Sequence, residues 1–168
     1  TFPKDMICSM DDILNNKKHI IATASMLFRK QYALNLPKFY FNAPVGDFPL
    51  QLFLASKGYV YYKDSAMLNH RTGVPGSWST NMKLSKTNIK RIELYIKLKN
   101  MLIEFDEFTD GVFRSELLSA MDEMDFNILL AKKKCNQMKS TKYKRFYRKL
   151  SIRARFRMNL ECILPRLY

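Results

Sequence analysis

The sequence predicts an α/β domain followed by a mostly helical C-terminal region, and three observations carry that expectation. Runs rich in β-branched and aromatic residues at 20–29 and 59–62, with a further strand-like run at 65–70, alternate with an amphipathic run at 47–58. Strand–helix–strand units leave that alternation. Past residue 80 the apolar residues recur at helical spacing instead, and residues 132–168 become strongly basic. The resulting partition is 1–80, a helical hairpin at 81–138, and a basic amphipathic helix at 139–168.

Ser9 precedes Met10-Asp11-Asp12. A hydroxyl and carboxylates in a first turn meet unpaired N–H groups and the positive end of the helix dipole, so a short helix is expected at 9–16. Residues 20–29 read as extended. Residues 33–46 hold two prolines and a closing glycine and read as a loop. Asp47 can cap the helix that follows, and Pro49 suits a first turn, where its missing N–H costs nothing. Leu50, Phe53 and Leu54 repeat at i, i+3, i+4, and Gly58 is a natural stop. Residues 59–62 and 65–70 read as strands split by Lys63-Asp64, and 71–79 as a loop. Ile89, Ile92, Ile96 and Leu102 predict a helix over 86–105. Thr109-Asp110-Gly111 breaks it, and Phe113, Leu117, Met121, Met124 and Ile128 mark a second. A third helix is expected from about 140.

With 168 residues, 47% of them apolar, the chain has one domain's worth of core. No uninterrupted apolar run reaches the 18 or so residues of a membrane-spanning helix. The N-terminus lacks both the layout of a signal peptide and an initiator Met, so the chain is expected to begin inside a longer protein. Cys8, Cys135 and Cys162 are scattered and form no CxxC. That weighs against zinc and thioredoxin-type sites and favours reduced thiols in the cytoplasm. Lys and Arg number 29 against 15 Asp and Glu, a net charge of +14. Residues 132–168 hold 13 basic residues and one acidic, Glu161, and so carry +12, leaving +2 for residues 1–131. A neutral body with a basic tail calls for an anionic partner surface: lipid headgroups, nucleic acid or polyphosphate.

Gly46-Asp47 by itself fits a plain N-cap as well as a catalytic carboxylate. Its neighbours form an ordered series: Pro49-Leu50, Lys57-Gly58, Val60-Tyr61-Tyr62, Arg71 and Gly76-Ser77-Trp78, preceded by Thr23-Ala24-Ser25-Met26-Leu27-Phe28-Arg29. Over roughly residues 1–80 this series resembles the second, acceptor-side half of the bacterial family-2 glycosyltransferases, and implies the C-terminal half of a GT-A-like (Rossmann-like) fold. The resemblance assigns Asp47 the general base, which takes the acceptor hydroxyl's proton as that oxygen attacks the anomeric carbon with inversion. Such a base must stand within hydrogen-bond reach of the hydroxyl. A helix N-terminus fixes its direction and favours its negative charge. The resemblance further implies acceptor or diphosphate binding by Gly46, Arg71, Ser77, Trp78, Ser25 and Arg29. Arg71 fits a charge-assisted fork on a diphosphate or a surface strand end. Trp78 fits a platform under a sugar or a core aromatic, and Phe28 fits core packing.

The family's Arg-x-His segment is altered: Gly73 stands where its histidine would be, and His70 reads as an ordinary strand-end histidine. No Asp-x-Asp metal motif is found. Asp11-Asp12 lacks the spacing, and Glu123-Met124-Asp125, beside Asp122, reads as solvated helix charge. No glycine-rich phosphate loop is present. The resemblance therefore implies that the divalent metal (Mn or Mg) of an intact enzyme has its ligands outside this chain, with none assigned here. The nucleotide-sugar donor would bind through a missing N-terminal half, and the acceptor would be a glycan or lipid-linked glycan. The 168-residue chain alone is expected to be inactive.

In the tail, Tyr143, Phe146, Tyr147 and Leu150 follow helical spacing, and Phe156, Leu160 and Ile163 continue an apolar side among Arg and Lys. An apolar aromatic face beside a cationic face suits a membrane interface. The expectation is peripheral attachment to an anionic membrane, at the cytoplasmic face of the cell membrane. Packing of the tail on the body is the plainer alternative. The leading functional reading is a fragment of an inverting glycosyltransferase in polysaccharide biosynthesis. The alternatives are a nucleic-acid-binding module using the tail, and a non-catalytic partner that keeps a glycosyltransferase-like surface. The near-neutral body and the absence of a nucleic-acid motif argue against the former, so no nucleic acid partner is expected.

Overall fold

A computed structural model describes residues 4–15, 21, 23–69, 71, 73–77, 80–81 and 88–163, with side chains excepted at 15, 88 and 161–163. The chain is mostly helical. Strand β1 (Met6–Cys8) pairs antiparallel with β2 (Val60–Tyr62), Met6 opposite Tyr62 and Cys8 opposite Val60. Asp5 fastens this ribbon, accepting hydrogen bonds from the Asp64 N–H (2.7 Å) and the Tyr61 hydroxyl (3.0 Å). Helix α1 (Met10–Asn15) starts at a reciprocal cap. The Asp12 N–H donates to Ser9 Oγ at 3.2 Å, and the Ser9 N–H donates to Asp12 Oδ2 at 2.8 Å.

A short 3-10 turn (Thr23–Ser25), α2 (Lys30–Leu34) and α3 (Lys38–Asn42) lead to α4 (Asp47–Lys57). Helices α5 (Asn88–Phe108) and α6 (Arg114–Ala131) form a hairpin. The bend between them is a Schellman closure: the Gly111 N–H donates to the Asp106 carbonyl and the Asp110 N–H to that of Glu107. Asp110 takes the left-handed position with φ 50°, and Gly111 follows at 74°. Lys99 Nζ meets Asp125 at 2.7 Å across the hairpin.

The expected α/β architecture, the C-terminal half of a GT-A-like Rossmann-like fold, is overturned. The described residues are mostly helical, and the sheet among them is the two-stranded antiparallel ribbon. The expected strand at 20–29 is instead the 3-10 turn followed by irregular chain, where Leu27 is fully exposed. Its residues 20 and 22 lie outside the described residues. The expected strand at 65–70 is irregular through Asn69, and residue 70 lies outside the description. The physical reason is pairing. A strand needs a neighbour to take its N–H and C=O groups, and neither segment is given one. The expected loop at 33–46 holds α3 and the end of α2, with Pro37 as the extended residue ahead of α3.

Two apolar clusters hold the chain. The larger joins Met10 and Leu14, Phe39, Leu52 and Phe53, Met101, Leu102 and Phe105, and Leu117 and Ala120, so residues from 1–80 and from the hairpin share one interior. The smaller joins Phe126 of α6 to Met138, Phe146 and Met158. It receives the tail, which is not one helix but α7 (Cys135–Met138), a 3-10 turn (Thr141–Tyr143), α8 (Lys144–Lys149) and α9 (Ile152–Ile163). Serines mark the breaks. Ser140 is extended before the 3-10 turn, and Ser151 Oγ accepts the Ala154 N–H at 3.1 Å to start α9. Cys8 is a free, buried thiol, but Cys135 is disulfide-bonded, which corrects the expectation of reduced thiols throughout.

Candidate functional site

Helix α4 begins where its sequence directs. Gly46 is the residue ahead of the first turn, with φ −94° and ψ −29°, and Asp47 is the first helical residue. The Asp47 side chain does not cap from outside the helix. It sits in the first turn, half-buried, and its Oδ1 accepts the Phe48 N–H at 2.8 Å. A carboxylate there complements the helix dipole. A Cβ added at Gly46 would meet Tyr40 Oη at 3.7 Å, an ordinary contact, so steric crowding does not demand glycine.

Gly46 and Asp47 line a cavity of about 830 Å³ between α1, α3, α4 and the α5–α6 hairpin. Its walls are mainly apolar, from Ile13, Leu14, Phe48, Leu94, Leu98 and Met124. Tyr40, Tyr95, Glu123 and Asn127 add polar groups to the same lining. Burial pushes the Tyr95 phenol above its ordinary value; Arg91 pulls it down, and Glu123 adds to the rise.

A second cavity of about 630 Å³ contains Ser25 and Arg29, with Tyr32, Lys57, Tyr59 and Tyr61. Ile13 and Gln51 line both cavities. Gln51 lies one helical turn beyond Asp47, is only 6% exposed, and donates from Nε2 to the Ile21 carbonyl at 2.9 Å. Lys57 Nζ lies 4.9 Å from the Phe108 ring centroid and 5.6 Å from that of Phe53. Its charge rests against aromatic faces.

The expected site residues thus divide. Gly46 and Asp47 share the first cavity, and Ser25 and Arg29 share the second. Arg71 is exposed and lines neither. Ser77 follows a Val74-Pro75-Gly76 turn, in which its N–H donates to the Val74 carbonyl and Gly76 has φ 79°. Its hydroxyl donates to Thr80 Oγ1 at 2.8 Å and accepts the Thr80 N–H, so it serves local structure there. Trp78 and His70 lie outside the described residues.

The cavity around Asp47 also takes in Tyr40, Tyr95, Gln51, Glu123 and Asn127, which the sequence did not single out as neighbours of Asp47. The three clustered acids at 122–125 of α6 have separate settings. Asp122 binds Lys142 (3.0 Å) and Arg145 (3.5 Å), Asp125 binds Lys99, and Glu123 lines the cavity. The available signal was spacing: Glu123 and Asn127 are four apart and share a helix face. Among the described residues no three His, Cys, Asp or Glu side chains converge on a metal position.

Comparison with family models, with curated proteins and with solved structures returns no match. The site therefore stands on its own chemistry.

Proposed function

We propose that this chain is the acceptor-side, base-bearing part of an inverting glycosyltransferase acting with a nucleotide-sugar donor. The observation that carries the reading is Asp47. It is a half-buried carboxylate fixed in the first turn of α4, and it opens on a large cavity beside two tyrosines. Function resides in such sites and not in fold class, and the mostly helical architecture gives no support from fold. In the proposed reaction an acceptor hydroxyl lies against the Asp47 carboxylate. Its oxygen attacks the anomeric carbon, the carbon–oxygen bond to the nucleoside diphosphate breaks, and the diphosphate leaves with that electron pair. The hydroxyl proton passes to Asp47. Tyr40 and Tyr95 offer ring faces and hydroxyl donors to a sugar, and the apolar walls suit a glycan carried on a lipid. The donor, and any divalent metal on its diphosphate, would be held by residues outside this chain. The described residues do not fit a metal, and the step assigned to Asp47 does not pass through one.

The deciding experiment is Asp47→Asn in the intact protein. Loss of a positioned base lowers turnover by about a hundredfold to ten-thousandfold. Donor binding should survive, because the carboxylate acts on the acceptor. Unchanged turnover would remove Asp47 from the chemistry and leave a non-catalytic surface.

A further inference from the structure

Helix α9 presents three faces, and the body uses one. Met158 is buried against Phe126, Met138 and Phe146, and Arg155 lies half-buried on the same side. Ile152, Phe156 and Leu160, spaced at i, i+4 and i+8, make a second apolar stripe. Ile152 is 78% exposed and Phe156 65% exposed. Arg153 and Arg157, one position further round, run beside that stripe and are exposed. Arg148 and Lys149 of α8 are exposed as well. Asp122 of the body is engaged by Lys142 and Arg145, nearer the start of the tail. Among the described residues no helix is long and apolar enough to cross a membrane.

We infer that the outer face of α9 is a docking surface for an anionic lipid bilayer, the helix lying in the plane of the interface. The stripe would enter the headgroup–acyl boundary while the arginines pair with lipid phosphates, the arrangement that interfacial helices use. The aliphatic members favour lipid over nucleic acid. Bases stack on aromatic rings, and Ile152 and Leu160 offer none. With Met158 held against the body, Ile152 and Phe156 face outward and Leu160 is half-buried at the end of the stripe. This inference does not rest on the sugar-transfer reading.

The test is vesicle flotation of the full chain with phosphatidylcholine vesicles, with and without phosphatidylglycerol. Flotation is expected only with the anionic vesicles. Ile152→Ser with Phe156→Ser should abolish it while the far-ultraviolet circular dichroism stays unchanged, because both side chains are exposed. Arg153→Gln with Arg157→Gln, which leaves the apolar stripe intact, should weaken it by about tenfold or more. Absence of flotation with both vesicle types overturns the inference. So does anionic flotation that the Ser pair leaves untouched, which would mean charge attraction without insertion. Binding of single-stranded RNA in place of vesicles, steeply salt-dependent and indifferent to Phe156→Ser, overturns it in favour of a nucleic-acid surface.

Discussion

The two apolar clusters share helix α6 but are built differently. The larger is a mesh of aromatic rings around Phe105. Phe39 lies edge-on to it at 5.3 Å between centroids, and Phe113 stacks on it at 6.2 Å and 12°. Five helices contribute to that interior. The smaller cluster has four buried residues, with Phe126 over Phe146 at 5.8 Å, and leans on exposed ion pairs at Asp122. Of three buried polar atoms without a partner among the described residues, two belong to α9: Arg155 Nε and Asn159 Oδ1. A dense interior fixes the cavity around Asp47, and a thin, imperfectly satisfied one fastens a basic tail.

The strongest way to break this contrast is Phe105→Ala. Phe105 is fully buried among aromatic rings, so the change should cost about 3–5 kcal/mol. Calorimetry should show the main transition lowered or lost, with the cavity lost alongside it. Phe146→Ala in the smaller cluster is the matched experiment. It should release the tail while the body still unfolds cooperatively at nearly its original midpoint. Hydrogen exchange would check this: protection should fall in 135–163 and persist in α4, α5 and the first half of α6. A single lowered transition in both variants would mean that the two clusters fold as one.

A smaller effect sharpens the same contrast. Asp122→Ala removes the acceptor for both Lys142 and Arg145, whose side chains are about half exposed. Exposed pairs contribute roughly 0–1 kcal/mol and are screened by salt. The variant should loosen the tail slightly at low ionic strength, and the difference from wild type should fade as salt rises. A difference that persists in high salt would point to packing at Asp122 instead of charge.

What was legible in the sequence follows the same division between local and non-local causes. Helix ends were readable because their partners lie within a few residues: Ser9 with Asp12, Gly46 with Asp47, Asp110 with Gly111. The hairpin was readable because Ile92, Ile96 and Leu102 in its first helix, and Leu117, Met121, Met124 and Ile128 in its second, recur at helical spacing. Residues 20–29 misled because β-branched and aromatic residues record a preference for strand surroundings that only a neighbouring strand can supply; residues 65–70 hold no such residue, so nothing in their composition called for a strand. The tail's interruptions were missed because Ser140 and Ser151 look unremarkable beside the basic residues around them. At the candidate site, Asp47 was visible from its first-turn position. Tyr40, Tyr95 and Glu123 come from three separate helices, and only packing brings them to one cavity.

The smallest expected effect concerns Tyr95, a half-buried phenol in the cavity wall. Burial raises its folded pKa above the ordinary value near 10, with Arg91 opposing and Glu123 reinforcing. In the unfolded chain the phenol ionises at its ordinary value. A raised folded value means that Tyr95 contributes stability fully present below the unfolded pKa and lost as pH climbs through the folded one. Tyr95→Phe deletes that contribution. The gap in midpoint between wild type and variant should stay constant from neutral pH to about 9 and then move in the variant's favour as the phenol's unfolded-state ionisation sets in. Thermal melts at stepped alkaline pH, paired with tyrosinate absorbance, would follow both sides of the linkage. A gap that stays flat through the alkaline range would mean that the Tyr95 hydroxyl is hydrated, and that the cavity beside Asp47 is open to water on its α5 side.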